Sequence, residues 1–438
     1  MRYKFDQLID RKNTHSLKWD QDALLHSTSP DLRRDPETIR WMMEDMDFAC
    51  APEITAALHR TADFPTFGYT SADARPEWKQ AVIRWYERRY DLSLRPEWIL
   101  YSAGAMSSIE QAVQAYTSPG DGVIICRPVY NHFGEIIERM GRQTVNCQLK
   151  DEGSHYYLMD WERFEQVCAV PENRLFLLCS PADPVGRVWR KAELVKMIEI
   201  CRRNHVIVLA DEMHAGILRK DQKHTPLLAA APEDLSNLIM VGGADKAFNL
   251  MGLNCAYTVI PDRDLRRTFT FGYHPPLSPF SLAALTAAYD AGEDWLSELN
   301  TCLDENLDYA VNFLREQMPK VRVWMPEGTY NLWLDFSLYD CEPADLKRII
   351  NGVANIAMRC GQGFDPQHGR GFVRLCLVSP RSVVQEGMQR LAAAFAAFER
   401  ERNAVCRDGA VGEAQGQGKA EEPDAADAAA AKPDSEGC

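Results

Sequence analysis

The chain has 438 residues, of which 46% are hydrophobic and 26% are charged, and its formal net charge at pH 7 is -14. A chain of this length and apolar content can bury a large core, and we expect two domains. The negative charge argues against a nucleic-acid partner, because phosphate binding requires a basic face. The chain begins without an apolar signal segment and no apolar run reaches the length of a membrane span, so we expect a cytoplasmic protein without a membrane partner.

The thirteen cysteines are spread from Cys50 to Cys438 without a CxxC pair or a Cys/His cluster at metal-ligand spacing. In a long intracellular chain we interpret them as reduced, mostly buried thiols rather than disulfides. We therefore expect no metal site.

The predicted elements begin after a polar segment of mixed character, residues 1–45, which we expect to join the smaller domain. A helix is predicted after Pro52 and another at residues 75–90, on either side of a loop with aromatic residues around Gly68. From residue 98 onward, short apolar runs alternate with helical segments. Runs rich in Val, Ile and Leu predict strands at residues 122–126, 144–149, 174–179, 206–210, 238–242 and 255–260. This alternation indicates an α/β large domain, residues 46–290, with a mostly parallel sheet covered on both faces.

The rest of the chain predicts a smaller α+β domain, residues 291–405, and a tail. The chain turns helical at residues 281–318, followed by strands near 321–324 and 330–336, a helix at 343–358, a strand at 371–377 and a helix at 383–402. From residue 406 to 438 the composition shifts to Ala, Gly, Glu, Asp and Pro, with almost no large apolar residues. We expect this acidic tail to be disordered.

Lys246 follows a buried apolar run, residues 238–241, in the segment GGADKAFNLMGL. Ligands of α/β folds bind at the carboxyl edge of the strands, so we expect this amine to face a crevice there. Desolvation and nearby cations lower a lysine pKa, and a neutral amine can condense with an aldehyde, most obviously that of pyridoxal 5'-phosphate (PLP). Because most lysines that follow strands are ordinary surface residues, this interpretation depends on the other groups that the cofactor needs.

Asp211 ends the preceding predicted strand, in the segment ADEMHAGIL. A carboxylate there can pair with a protonated pyridine nitrogen and make the ring an electron sink. A helix cap or a surface carboxylate is the alternative, and the lysine after the next strand favours the cofactor role. His214, three residues further on, either reaches the phenolic oxygen of the ring or packs under the loop.

The cofactor phosphate and ring have further candidates. Residues 102–107, SAGAMS, form a small-residue turn that opens a helix extending to about Tyr116. The free N–H groups and the dipole at such a helix start, at Ala105 and Met106, suit an anion. Tyr130 is placed to stack on the ring, and an ordinary buried aromatic is the alternative.

Arg374 interrupts an apolar strand in GFVRLCLVSP. A guanidinium at such a position must find a partner or face a cleft. Its planar fork matches the α-carboxylate of an amino-acid substrate. A structural ion pair with an acid of the small domain is the alternative, and we favour the carboxylate role.

Taken together, these segments resemble the fold-type I PLP-dependent enzymes of the aminotransferase superfamily, and more closely its cystathionine β-lyase-like carbon–sulfur lyase branch. The resemblance extends to about residue 400 and is carried by FDQLIDRKNTHSLKWD, EDMDF, FGYT, SPADPVGRVW, ADEMH, DKAFNLMGL and VRLCLVSPRS. It implies the PLP-dependent transferase-like fold, with a large domain built on a mostly parallel sheet and a smaller α+β domain. It also implies a homodimer with shared active sites.

Roles for individual residues follow from the resemblance. Lys246 is expected to bind the cofactor covalently, Asp211 to pair with the ring nitrogen and Tyr130 to stack on the ring. Arg374 is expected to hold the substrate carboxylate. Tyr69, in FGYT, is expected to reach the phosphate bound by the neighbouring subunit.

Several positions depart from the family pattern. Asp183 stands where the family usually has an asparagine that donates to the phenolic oxygen, so either Asp183 is protonated, or it faces elsewhere and His214 takes over. Asp245 lies where a serine or threonine hydroxyl is usual near the phosphate, which its carboxylate repels if it points inward. Met42 and Glu44 replace Trp and Ala before DMDF, at the expected substrate pocket.

The reaction implied by the resemblance is β-elimination from cystathionine or another cysteine S-conjugate, giving pyruvate, ammonia and a thiol. Lys246 is the expected general base. The same residues serve an aminotransferase, which is the alternative hypothesis. A PLP-binding protein with little turnover is a third hypothesis, which the altered residues Asp183 and Asp245 keep open.

Overall fold

The computed structural model describes residues 2–20, 35–153, 156–231 and 233–415, with side chains as far as residue 404. Its strands, in chain order, are β1 (Ile39–Arg40), β2 (Ile99–Ser102), β3 (Gly122–Ile125), β4 (Gln143–Asn146), β5 (Lys150–Asp151), β6 (Tyr157–Leu158), β7 (Asn173–Cys179), β8 (Ile207–Asp211), β9 (Leu238–Gly243), β10 (Ala256–Val259), β11 (Arg322–Val323), β12 (Asn331–Asp335), β13 (Ile356–Ala357), β14 (Arg359–Cys360) and β15 (Phe372–Cys376).

The α-helices are α1 (Leu17–Asp20), α2 (Pro52–Ala62), α3 (Glu77–Tyr90), α4 (Ala105–Tyr116), α5 (Asn131–Arg139), α6 (Trp161–Cys168), α7 (Lys191–Arg203), α8 (Leu227–Ala230), α9 (Asp245–Phe248), α10 (Arg263–Thr270), α11 (Pro279–Ala291), α12 (Glu293–Gln317), α13 (Pro343–Lys347) and α14 (Arg381–Gln415). Short 3-10 helices lie at Pro96–Trp98, Met251–Leu253, Ser337–Tyr339 and Gly361–Gly363, and a π-helix at Arg348–Val353. Within the described residues, no helix is both long and apolar enough to span a bilayer.

Seven strands form the large sheet, in the order β2-β10-β9-β8-β7-β3-β4. The strands from β9 to β4 are parallel to their neighbours, and β10 is antiparallel to β2 and β9. The predicted α/β fold with a mostly parallel sheet is therefore confirmed. All six strands predicted for this part of the chain belong to the sheet, and β2 is a seventh that the sequence pattern does not predict.

Successive side chains of the central strands enter different hydrophobic cores, because neighbouring residues of a strand point to opposite faces. Leu175, Leu177 and Leu209 pack in a core that includes α4 and α5. Phe176 and Val208 pack in a larger core that includes α3, α7 and α11. Helices thus cover both faces and leave the strand ends as the place where polar groups can meet a ligand.

Four antiparallel strands form the small sheet, in the order β11-β12-β15-β14. Its core contains apolar residues of β12 and β15 together with those of α12 and α14. The N-terminal segment reaches this part of the molecule, because β1 pairs in parallel with β13. The domain boundaries at residues 45, 290 and 405 stay a prediction.

Three predicted elements differ from the structure. The helix predicted at 343–358 is wrong beyond residue 353, because residues 356–357 extend to pair with β1, more than 300 residues away in the sequence. The helix predicted at 281–318 is two helices, and a Cβ at Gly292 between them would lie 2.6 Å from the Ala288 carbonyl oxygen. The tail predicted as disordered from residue 406 continues the last helix to Gln415, and residues 416–438 lie outside the described part.

Candidate active site

A cavity of about 270 Å³ lies at the carboxyl ends of the parallel strands, beside the start of α4. Its walls include most of the residues that the sequence predicts for a cofactor site: Lys246, Asp211, Tyr130, His214, Asp183, Ala105 and Met106. Asp211 is the last residue of β8, and Lys246 follows the end of β9 by three residues. The neighbouring parallel strands thus bring the carboxylate and the amine to the same cavity, as expected at this edge of an α/β sheet.

Asp211 is well placed for a cationic ring nitrogen. One carboxylate oxygen, Oδ1, accepts a hydrogen bond from the backbone N–H of Met213 at 3.1 Å. No residue that the structure describes donates a hydrogen bond to the second oxygen. Burial raises the pKa of Asp211 to about 6, so a positive group brought to this carboxylate would favour its ionised form.

Lys246 forms an ion pair with the Glu44 carboxylate. Burial alone would lower the pKa of Lys246, but Glu44, Tyr130 and Asp183 together outweigh burial and raise this pKa above its usual value. The lowered pKa expected from the sequence is therefore wrong for the protein without a ligand. The reason is an acid 202 positions away in the chain, which the strand pattern does not reveal.

Glu44 is the main residue of the site that the sequence did not predict as a contact. Its side chain is 6% exposed. Besides Lys246, its Oε1 accepts hydrogen bonds from Asn331 Nδ2 at 2.7 Å and Arg374 Nη1 at 3.2 Å. Burial alone would raise the Glu44 pKa, but Lys246, His214 and Arg374 hold it well below its usual range. Glu44 is therefore an ionised carboxylate in the position where a substrate is expected.

Glu44 is held in the site from both domains of the predicted architecture. Asn249, at the end of the helical turn that carries Lys246, donates to the Met46 carbonyl and accepts from the Met46 N–H, both at 3.0 Å. Tyr330 donates its hydroxyl to the Glu44 carbonyl at 3.2 Å. These contacts fix the backbone at Glu44 and two residues after it.

Residues 11–20, which include NTHSLKWD, hold the same backbone through buried and half-buried side chains. Lys18 is fully buried and donates to the Asp45 carbonyl and to Asp47 Oδ2, both at 2.8 Å. Trp19 donates to Asp47 Oδ1 at 3.0 Å, and Arg11 donates to the Met46 carbonyl at 2.8 Å. A buried ammonium without these acceptors would be costly, so the segment and the EDMDF turn depend on each other.

Arg374 lies behind the cavity wall and is paired with two carboxylates. Its Nη1 donates to Asp183 Oδ2 at 2.7 Å as well as to Glu44, and Phe364 packs against its guanidinium at 4.9 Å. Asn331 Nδ2 joins the same acids by donating to Asp183 Oδ1 at 2.9 Å. Burial raises the pKa of Asp183 although Arg374 opposes this. The sequence left two alternatives, a protonated Asp183 or an Asp183 that faces elsewhere. In the structure its carboxylate is directed to Arg374 and Asn331.

His214 keeps one ring nitrogen available. Its Nε2 lies 3.5 Å from Glu44 Oε1, and its ring packs edge-on against Tyr330. Its Nδ1 is buried and has no hydrogen-bond partner among the described residues. A buried polar atom of this kind is normally satisfied, so His214 has capacity for a ligand atom as well as its place under the loop.

The start of α4 presents backbone N–H groups to the cavity. Gly104, the residue before the helix, has φ of 109°, a conformation that glycine adopts without strain. No side chain caps this helix start. Asp245 also lines the cavity, with its Oδ1 accepting from the Cys255 N–H at 2.6 Å, and burial raises its pKa to about 6. Its protonated form would remove the repulsion of a nearby phosphate.

Tyr69 is not brought to this cavity. Its side chain is fully exposed and lies along a separate open groove lined by small residues of α2 and α11. The predicted contact with a neighbouring subunit stays a prediction.

The chemistry of the cavity fits PLP. Lys246 offers an amine for the aldehyde, Asp211 an oxygen for the ring nitrogen, and His214 an unsatisfied nitrogen. The N–H groups at the start of α4 suit the phosphate. Tyr130 packs in the wall, with burial raising its pKa to about 12, so it presents a neutral aromatic ring.

Comparison with known proteins gives matches over most of the chain. The family model for aminotransferase class I and II matches residues 36–391. Cystathionine beta-lyase PatB of Bacillus subtilis is 33% identical over 396 residues, covering 89% of this chain and 99% of that protein. Protein MalY of Escherichia coli is 29% identical over 394 residues, covering 89% and 98%.

Two solved structures have the same fold. Cystalysin from Treponema denticola, which contains a pyridoxal 5'-phosphate cofactor, has a TM-score of 0.85 and 30% identity, covering 91% of this chain and 100% of that one. The PLP-bound C-S lyase from Staphylococcus hominis has a TM-score of 0.83 and 27% identity, covering 90% and 98%. The resemblance and the fold predicted from the sequence are confirmed. This chain therefore belongs to the aminotransferase class I and II family.

Proposed function

We propose that this chain is a PLP-dependent carbon–sulfur β-lyase. It takes cystathionine or another cysteine S-conjugate together with water and releases a thiol, pyruvate and ammonia. The names of PatB and of the S. hominis C-S lyase support this reaction class. The observation that carries the proposal is that Lys246 and Asp211 open onto one cavity whose other groups fit the cofactor.

Besides His214, five residues would hold the cofactor: Lys246 through a covalent bond to its aldehyde, Asp211 at the ring nitrogen, Tyr130 on the ring face, and Ala105 and Met106 through their N–H groups at the phosphate. The bound cofactor supplies an electron sink for negative charge at the substrate Cα. His214, with its free ring nitrogen, takes the phenolic oxygen, a role in which the carboxylate of Asp183 is a poor donor.

Lys246 then acts as the general base. In its neutral form, Nζ accepts the proton from the substrate Cα, and the electron pair of that bond drives cleavage of the Cβ–S bond. Sulfur leaves with the bonding electrons and takes up a proton to become the thiol.

The test is product analysis. Purified protein loaded with PLP is incubated with L-cystathionine and with S-methyl-L-cysteine, and thiol and pyruvate are measured together. Equal amounts of both products, absent in the Lys246→Ala variant, are expected. Loaded wild-type protein that releases neither product would contradict the proposal.

The alternative functions give different products. An aminotransferase keeps the substrate nitrogen, so pyridoxamine phosphate would accumulate after an amino acid is added, without thiol release. A PLP-binding protein with little turnover would give neither product, and the Glu44 ion pair with Lys246 is the observation that favours this alternative.

We also propose that the chain forms a homodimer with shared active sites and that it acts in the cytoplasm. The exposed Tyr69 on an open groove supports a contact with a second copy. The described cysteines from Cys50 to Cys376 are free thiols, the state that a reducing compartment maintains. Sedimentation analysis tests the assembly, and cell fractionation tests the location.

A further inference from the structure

The two oxygens of the Glu44 carboxylate have different partners. Oε1 accepts from Asn331 Nδ2 at 2.7 Å and from Arg374 Nη1 at 3.2 Å, and it lies 3.5 Å from His214 Nε2. Among the described residues, Oε2 accepts a hydrogen bond from Lys246 Nζ alone. Oε1 therefore anchors the side chain to the cavity wall, and Oε2 is directed at the reactive amine.

The anchors of Glu44 do not depend on Lys246. Asn331 belongs to β12 and Arg374 to β15, so both donors to Oε1 come from the small sheet. Tyr330 donates its hydroxyl to the Glu44 carbonyl at 3.2 Å and holds the backbone of the same residue. The Glu44 carboxylate therefore keeps its place in the wall when the amine of Lys246 changes its partner.

Cofactor attachment removes the cation that faces Oε2. A lysine ammonium has three N–H donors, and a nitrogen bound to an aldehyde carbon keeps one at most. Burial raises the Glu44 pKa, and among the charges that oppose burial that of Lys246 has the largest effect. A buried carboxylate that loses its cation is destabilising. The loaded site therefore favours a new cation beside Oε2.

The amine of an amino-acid substrate arrives at this place as a cation. It is largely protonated at neutral pH, and it must reach the aldehyde carbon that Lys246 holds, so it enters beside Nζ and hence beside Glu44 Oε2. Arg374 has a buried Nε without a hydrogen-bond partner among the described residues, so its guanidinium keeps a donor for the substrate carboxylate. The two charged groups of an α-amino acid are attached to one carbon, and Glu44 contacts both Arg374 and Lys246.

We propose that Glu44 binds the α-ammonium group of the amino-acid substrate through Oε2, beside the arginine, Arg374, that is expected to hold the carboxylate. This inference rests on the proposed function, because it assumes an amino-acid substrate in the loaded site. It gives the site one contact for each charge of a zwitterion. Glu44 thereby favours amino acids over carboxylic acids that lack the amine.

The first test needs no cofactor. Cofactor-free Lys246→Ala lacks the lysine ammonium, so ethylammonium has room beside Glu44, and titration calorimetry measures its dissociation constant. Adding Glu44→Gln is expected to weaken ethylammonium about 10- to 100-fold, the range for a lost charge-assisted hydrogen bond, and to leave neutral ethanol unchanged. Glu44→Asp, which keeps the charge on a shorter side chain, is expected to fall between the two.

The second test uses loaded protein and compares two ligands. L-Alanine has no leaving group on Cβ, and propionate has the same carbon chain without the amine. Glu44→Gln should weaken L-alanine by a similar factor, but it should bind propionate at least as tightly as wild type, because a negative charge near the carboxylate is removed. A purely structural effect of the substitution would weaken both ligands.

Glu386→Gln is the matched control, because Glu386 is an exposed acid on α14. It should leave all the dissociation constants unchanged. Equal affinity for ethylammonium in Lys246→Ala with and without Glu44→Gln would overturn the inference, as would equal weakening of L-alanine and propionate. The cofactor-free test separates the inference from the proposed function, which fails if loaded wild-type protein releases no thiol from L-cystathionine.

Discussion

The Glu44 carboxylate and the Lys246 ammonium form an ion pair inside the cavity, so the amine expected to react with an aldehyde is held in its charged form. Only the neutral amine is a nucleophile. Attachment of the cofactor therefore requires that this pair separates or that a proton leaves Lys246. Glu44 is one of the positions at which the sequence departs from the pattern expected from the resemblance.

Replacing Glu44 by glutamine should speed cofactor attachment. Removal of the negative charge lowers the Lys246 pKa, and each pKa unit gives about ten times more neutral amine at a given pH below it. The measurement mixes PLP with cofactor-free protein at pH values from 6.5 to 9. The rate at which the visible absorption of bound PLP develops is recorded at each pH. The variant's rate profile should lie at lower pH than that of wild type.

The control for this experiment is Glu386→Gln, because Glu386 is an exposed acid on α14 that pairs only with Arg390 among the described residues. Its profile should match wild type. Coincident profiles for Glu44→Gln and wild type would show that the ion pair does not govern the reactivity of Lys246.

Replacing Asp211 by asparagine should separate cofactor binding from catalysis. Lys246 and the start of α4 remain to hold the cofactor, but the ring nitrogen loses its negative partner. Removing one electrostatic stabiliser of developing charge costs about 100- to 1,000-fold in kcat, and we expect a loss of pyruvate formation in that range. The visible spectrum of the purified variant reports retained cofactor, and full activity in a loaded variant would refute the assigned role.

The sequence predicts the large sheet well because its strands are continuous apolar runs. The run at residues 238–241 becomes β9, with Lys246 just beyond its end, and Asp211 closes β8 as expected. β2 is missed because Ile99–Ser102 is short and mixed in character. The two-residue strands β1 and β13 are missed because their pairing depends on a contact between distant parts of the chain.

Some site residues could be predicted from the sequence and others could not, depending on whether a strand places them. Lys246, Asp211 and Tyr130 follow strands, so the edge of the sheet brings them together without further information. Glu44 is recognisable in the sequence as a departure from the family pattern, but its contacts with Lys246 and Arg374 depend on how the N-terminal segment folds back across the cavity. No local sequence pattern indicates that the N-terminal segment approaches the cavity.

Replacing Asp245 by asparagine should stabilise the cofactor-free protein at neutral pH. Burial raises the pKa of this carboxyl from 3.8 to about 6, so between these values the folded state binds more protons than the unfolded state. Stability therefore falls as pH rises from about 4 to 6, and the full cost is present above pH 6, up to about 3 kcal/mol. The amide keeps an oxygen to accept from the Cys255 N–H.

The measurement is the thermal midpoint of cofactor-free protein at several pH values. Asp245→Asn should exceed wild type at pH 7.5, and the difference should shrink as pH falls from 6 toward 4. Asp63→Asn, at an exposed position, is the control and should show no such trend. A difference that is independent of pH would mean that the charge of Asp245 is not the cause.

A shared active site can be tested by placing two defects on the same or on different protomers. If Lys246 of one protomer works with Tyr69 of the other, a heterodimer of Lys246→Ala with Tyr69→Ala contains one complete site and should release pyruvate, although each variant alone is impaired. The matched control pairs wild type with a protomer carrying both substitutions, which leaves no complete site. Two affinity tags allow each heterodimer to be purified. Tyr69 is exposed, so its replacement should not disturb the fold. Activity only in the second arrangement would show that each protomer supplies its own Tyr69 and would refute the shared site.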